Sequence, residues 1–189
     1  MTLTSISCRR TSCILVLLVA LGLGAEADAA FAQAQAQAQA QATTTVLVVR
    51  HAEKEWEDGD PPLSAVGWQR AEALFRVAED SGVSVLFGTQ YMRTTQTLEP
   101  IAARLGLEIL THEARDSEGL ARQILAEHAG RVVLVSGHSN TVPEIVAALG
   151  APEPDPIDDA EYDNLYVVSI NSAGGEATVL HLHFGQPPD

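Results

Sequence analysis

Residues 46–54 read VLVVRHAEK, and this stretch decides the fold. Four apolar residues break off into an arginine, a histidine and a carboxylate. A short β-branched run bounded by polar residues predicts a buried strand, so Arg50, His51 and Glu53 fall where the strand hands over to a loop. Loop positions of this kind often carry chemistry.

The arrangement recurs at residues 132–140, VVLVSGHSN, where a second apolar run discharges into His138. The Thr141–Glu144 stretch that follows, TVPE, reads as a capping box opening a helix. Between the two lies a third strand over 83–87, whose exit leads through Gly88 to Arg93. Open α/β sheets bind ligands outside the carboxyl ends of their strands, which is where these side chains are expected to meet.

The remaining pattern agrees with that class. Ser64 caps a helix with Leu74, Phe75 and Ala78 at helical spacing, ending near Gly82. Helices are expected over 89–105, 117–128 and 141–149, with a short strand over 107–110. The acidic, proline-rich segment APEPDPIDDAEYDN (151–164) reads as loop. Strands over 165–170 and 177–184 flank the turn residues NSAGG, which predicts a hairpin. Strands alternating with helices mean right-handed crossovers. The expected fold is α/β, a three-layer sandwich with a mainly parallel sheet and an antiparallel edge strand from the C-terminal hairpin.

The N-terminal residues are set apart from this domain. Arg9 and Arg10 precede an apolar run over 13–22, and small residues follow at Ala25, Ala27, Ala29, Ala30 and Ala32, so residues 1–32 read as a secretory signal peptide. Both cysteines, Cys8 and Cys13, lie inside it, which leaves no thiol chemistry to the rest. Residues 33–42 alternate Gln and Ala and read as a low-complexity spacer. Residues 43–189 then form one domain, expected to be periplasmic or secreted and without stable membrane association after cleavage. The formal charge of −14 falls wholly on that domain and argues against nucleic acid as a partner. Against this acidic background, Arg50 and Arg93 at strand ends look placed for a local anion.

Two arginines and two imidazoles around one point suit an oxyanion better than a metal, because guanidinium repels a cation and binds oxyanions bidentately. A transferring phosphoryl group fits, since positioned cations stabilise its shifting charge. Neighbouring cations also keep an imidazole neutral, with one nitrogen free to attack phosphorus and the other protonated against an acceptor such as a backbone carbonyl.

Taken together, RHAEK, LSAVGWQRAEAL, TQYMRTTQT and SGHSNT, in that order, resemble the histidine phosphatase superfamily, in the branch containing phosphoglycerate mutases and small bacterial phosphohistidine phosphatases. The resemblance spans residues 45 to about 170. It implies that His51 is the phosphorylated nucleophile, that Arg50 and Arg93 bind the phosphate, and that His138 is the second histidine of the pocket. It also implies a phosphoric monoester hydrolase acting on a small phosphorylated substrate or a phosphohistidine, with no cofactor and no metal. Mutases of the family read RHGESxWN where this chain has Ala52, Lys54 and Glu57, which argues against mutase-type phosphotransfer. The insert around their acidic residue is missing too. The leaving-group acid is therefore open, with Glu113 the first choice and Asp116 the second. A non-catalytic phosphate-binding or regulatory protein and a metallohydrolase are the competing readings. His181 and His183 share one strand face but lack an obvious third metal ligand.

Overall fold

The computed structural model describes residues 43–171 and 176–187. The predicted leader, the Gln/Ala spacer and the hairpin-turn residues 172–175 lie outside them.

Strand β1 (Thr43–Arg50) carries its apolar side chains alternately to both faces of the sheet. Val46 and Val48 enter one core cluster, while Leu47 and Val49 enter the other. The chain continues as helix α1 (Ala65–Ala78), strand β2 (Val83–Thr89), helix α2 (Met92–Leu105), strand β3 (Ile109–His112) and helix α3 (Ser117–Glu127). Strand β4 (Val132–Gly137), helix α4 (Thr141–Ala148) and strands β5 (Asn164–Asn171) and β6 (Thr178–His183) complete it. The six strands lie in the order β3-β2-β4-β1-β5-β6. β3, β2, β4 and β1 pair in parallel, whereas β5 pairs antiparallel with both β1 and β6. The C-terminal pair thus supplies the antiparallel side of a mixed sheet.

Two cores make three layers. Leu74 and Ala78 of α1 with Leu98 and Ile101 of α2 cover one face, and Leu120 and Ile124 of α3 with Val142 and Ile145 of α4 cover the other. Local signals explain the helix ends. Ser64 accepts a hydrogen bond from the Gly67 amide at 3.1 Å, and Gly106 ends α2 at φ +66°. β3 falls two residues later than the expected strand over 107–110, because its register is set by pairing of Leu86 with Ile109 rather than by local pattern. The capping box at Thr141 is not formed. Thr141 Oγ1 accepts instead from the His138 amide at 3.1 Å, and Glu144 accepts from the Ser117 hydroxyl at 3.0 Å.

The block LSAVG has a packing reason for its glycine. A Cβ on Gly67 would run into the carbonyl oxygen of Glu53, which is backbone and cannot swing aside. The loop after β1 is therefore seated directly on α1, and Ser64 N donates to the same Glu53 carbonyl at 2.9 Å. Gly67→Ala is expected to destabilise the fold by roughly 1–3 kcal/mol or more. Urea unfolding checks this; a variant as stable as the parent would mean that the loop does not rest on the helix as described.

Candidate active site

Parallel pairing of β1 with β4 sets Arg50 beside Gly137, so the next residues, His51 and His138, leave adjacent strand ends together. The His51 amide donates to the Gly137 carbonyl at 2.9 Å, extending the ladder by one bond. The two imidazole centroids lie 5.3 Å apart, edge to face. β2 ends on the other side of β4, and Arg93 enters from the first turn of α2. Arg50, His51 and His138 are buried, at 4 %, 4 % and 8 % exposure.

The protons can be placed from the partners. His51 Nδ1 is 2.7 Å from the Ala52 carbonyl, which can only accept, so Nδ1 carries the hydrogen and Nε2 keeps a lone pair for the cavity. Arg93 Nη2 is 3.4 Å from His138 Nδ1, and a guanidinium can only donate. His138 Nε2–H then donates to Thr89 Oγ1 at 3.2 Å. Burial, with the charges of His138, Arg50 and Arg93 adding to it, pushes the His51 pKa down to about 3 against the opposing pull of the Ala52 bond. Burial, then Arg93, His112 and Arg50, push His138 down to about 4. Both rings are neutral near pH 7.

The two guanidinium groups are held from behind and left open in front. Arg50 Nη1 donates to the carbonyls of Asp158, Asp159 and Glu161 at 2.9, 3.0 and 2.9 Å, and the group stacks 4.0 Å from the Tyr162 ring centroid. Arg93 stacks 4.3 Å from Tyr91, and its Nη1 lies 3.4 Å from Asp60. Each Nε–H is buried with no partner among the described residues. Such orphaned donors call for an explanation, and they belong to two guanidinium groups on the wall of one cavity, where an oxyanion is the matching ligand.

That cavity, about 270 Å³, is walled by Arg50, His51, Lys54, Tyr91, Arg93 and His138, and on its far side by Ala114, Arg115 and residues 139–141 and 159. Four of the nine Lys and Arg residues after residue 42 line it, in a protein of net charge −14. The concentration of positive charge is local and marks an anion site.

Four of the five sequence-predicted site residues, Arg50, His51, Arg93 and His138, thus meet around one cavity. Glu113 does not. The chain turns as it leaves β3, with the Asp116 amide donating to the Glu113 carbonyl at 3.0 Å, so Glu113 is exposed to solvent and Ala114 and Arg115 face the cavity in its place. Asp116 caps α3, accepting from the Gly119 amide at 2.8 Å. The one carboxylate on the cavity wall is Asp159, whose side chain is 98 % exposed. It lies in the acidic segment, which the sequence reads as a solvated loop with a substrate lid as the alternative. Glu53 is bound by Arg70 Nε and Nη2, at 2.9 and 2.7 Å. Trp56 is exposed away from the cavity wall, and Trp68 packs on Ala52, Leu63 and Ala71. His181 pairs with Asn164 and His183 with Asp163, and among the described residues no group of three His, Cys, Asp or Glu is gathered for a metal. Sequence reasoning missed Tyr91, Tyr162, Asp60, Arg115 and Asp159, which reach the cavity or its arginines by the paths of the connecting loops.

Residues 46–116 match the family model "Histidine phosphatase superfamily (branch 1)". Among curated proteins none matches the chain. Among solved structures, the chain is similar to a putative phosphohistidine phosphatase SixA from Nakamurella multipartitia, at 21 % identity and TM-score 0.57 over 76 % of this chain and 98 % of that one. It is similar also to a protein histidine phosphatase SixA complexed with tungstate, at 19 % identity and TM-score 0.58 over 74 % and 96 %. A third neighbour is a putative alpha-ribazole-5'-P phosphatase from Escherichia coli, at 15 % identity and TM-score 0.59 over 74 % and 96 %. At these identities the likeness is one of fold.

The lowered imidazole pKa values predict an acid-sensitive fold. Below the ordinary value of 6.5 the unfolded chain takes up protons on His51 and His138 that the folded chain refuses, so this contribution to stability is full above 6.5 and is lost as pH falls through about 4 and 3. Urea unfolding between pH 7.5 and 4.5 should show stability declining more steeply for the parent than for His51→Gln. Equal slopes would contradict a buried, neutral His51.

Proposed function

We propose that this domain, which carries the sequence pattern of the histidine phosphatase superfamily over residues 46–116 and its fold, is a phosphatase working through a covalent phosphohistidine. The observation that carries the proposal is His51 with Nδ1–H held on the Ala52 carbonyl and Nε2 open to a cavity flanked by two guanidinium groups. In the first step Nε2 attacks phosphorus, the bond from phosphorus to the leaving group breaks, and the phosphoryl group is carried on His51. Arg50 and Arg93 on the cavity wall neutralise the equatorial oxygens as charge moves across them. In the second step water attacks phosphorus, the bond from phosphorus to Nε2 breaks, His51 returns to the neutral imidazole with Nδ1–H, and inorganic phosphate leaves. His138, neutral and bonded to Arg93 Nη2 and Thr89, holds Arg93 in place.

The substrate class follows from what protonates the leaving group. No carboxyl group is buried against this cavity among the described residues, whereas burial is what keeps a catalytic carboxyl protonated near neutral pH. The site therefore suits leaving groups that depart without a strong acid, such as an imidazole from phosphohistidine or a phenolate, over simple alkoxides. The solved neighbours, described as phosphatases of phosphohistidine and of a ribazole 5'-phosphate alike, support phosphatase chemistry without choosing between leaving groups. We place the enzyme outside the cytoplasm, on the strength of Arg9, Arg10 and the apolar run over 13–22; full-length chain in the cytoplasmic fraction would contradict this.

A leaving-group series tests the proposal. The domain from Thr43 onward should hydrolyse p-nitrophenyl phosphate and a phosphohistidine peptide with kcat/KM about 10² or more above that for a simple alkyl phosphate, the lower end of what a general acid contributes. His51→Ala should abolish all three activities, and Glu113→Gln should leave all three within about two-fold, because its carboxylate lies outside the cavity. Binding of phosphate without turnover would favour the anion-binding protein, and loss of activity in chelator restored by zinc would favour the metallohydrolase.

A further inference from the structure

The block TQYMRTTQT gives Arg93 to the site, yet two further polar side chains of the same helix reach outside it. Gln96 Oε1 accepts from the Leu63 amide at 2.8 Å. Thr97, one turn beyond Arg93 and only 1 % exposed, uses a single hydroxyl twice. Its Oγ1 donates to the Arg93 carbonyl at 2.7 Å and accepts from the Ala52 amide at 2.9 Å. Together with Asp60, which accepts from the Met92 amide at 2.9 Å, these bonds lace the loop that follows β1 onto α2. Of the three, the bond to Ala52 is the one made next to His51, and it is fully buried.

The position matters because Ala52 has two roles. Its carbonyl accepts the Nδ1–H of His51 at 2.7 Å, and so decides which ring nitrogen is free. Its amide is the group that Thr97 holds. Ala52 is completely buried, so if Thr97 lost its hydroxyl no water would replace the acceptor cheaply. The Ala52 backbone would move to seek another partner, and its carbonyl would move with it. On the other side the same hydroxyl grips the Arg93 main chain, so next to His51 one oxygen joins the nucleophile's loop to the phosphate-binding helix.

We propose that Thr97 is a positioning residue that fixes the tautomer of His51 and its distance from Arg93 by bridging the Ala52 amide and the Arg93 carbonyl. The proposal rests on the reading of His51 as nucleophile and Arg93 as phosphate ligand. A purely structural role, filling the space between α2 and the β1 loop, predicts a different pattern of substitutions. Thr97→Val keeps the branched shape and removes the hydroxyl. Thr97→Ser keeps the hydroxyl and removes the methyl group.

The experiment compares parent, Thr97→Val and Thr97→Ser in two measurements. Single-turnover phosphorylation by p-nitrophenyl phosphate should slow about 10- to 100-fold in Thr97→Val, the order expected when a reacting group shifts by up to about an ångström, with KM changed only a few-fold. Thr97→Ser should restore the rate to within about three-fold of the parent by the same argument. Independently of activity, proton–nitrogen correlation spectra should show His51 protonated on Nδ1 in the parent and in Thr97→Ser, and a mixture of tautomers in Thr97→Val. A Thr97→Val variant that keeps the parent's rate and tautomer overturns the proposal, as does a Thr97→Ser variant that loses either, whether or not the valine variant folds. A parent inactive on every phosphorylated substrate would count against the proposed phosphatase reaction, while the tautomer comparison would still decide the role of Thr97.

Discussion

The parallel pairing of β1 with β4 is the constraint from which the site follows. Because Arg50 and Gly137 are register partners, the residue after each is a histidine at the same height above the sheet, and the rings lie 5.3 Å apart. A slip of one residue would turn one ring into a helix layer and leave Arg50 on the wrong face. The ladder that runs from Thr45 beside Val132 to Arg50 beside Gly137, extended by the His51 amide on the Gly137 carbonyl, holds that register, while Val46, Leu47, Val48 and Val49 fill both cores around it. A main-chain ladder through an apolar strand therefore sets the geometry of a polar site beyond its end.

Around this frame, charge and burial act in the same direction. The cavity gathers cations in a protein that is otherwise strongly acidic, and burial keeps the two imidazoles from adding to their number. A neutral His51 retains its nucleophilic lone pair, and the arginines, charged at any ordinary pH, keep their affinity for oxyanions. Arg50 would be costly to bury alone. Three main-chain carbonyls of residues 158–161 and the face of Tyr162 hold it, which gives the acidic segment a part in the site through its backbone rather than through its carboxylates.

The sheet is legible from its apolar runs, and Arg50, His51 and His138 are legible because β1 and β4 run straight into them, with Arg93 following a few residues beyond β2. Hydrophobic period tells the face and the end of a strand; it says nothing of a loop's path. That is why Glu113 looked suitable and is not, since its position depends on the turn by which the chain leaves β3, and why Asp159 and Tyr162 were invisible inside a proline-rich acidic stretch. Nothing local marks Thr97 within TQYMRTTQT, because its partner Ala52 lies 45 residues away in sequence. Contacts of that kind depend on how α2 docks, which local pattern does not encode.

The central claim is that His51 carries the phosphoryl group between two chemical steps. Rapid quenching of the domain with a phosphorylated substrate labelled in the phosphoryl group, followed by peptide mapping, measures it directly. The account predicts label on the peptide containing His51, stable in base and lost in mild acid as a nitrogen-linked phosphate must be, and absent from His51→Ala. An acid-stable label, or one that persists in His51→Ala, would contradict it.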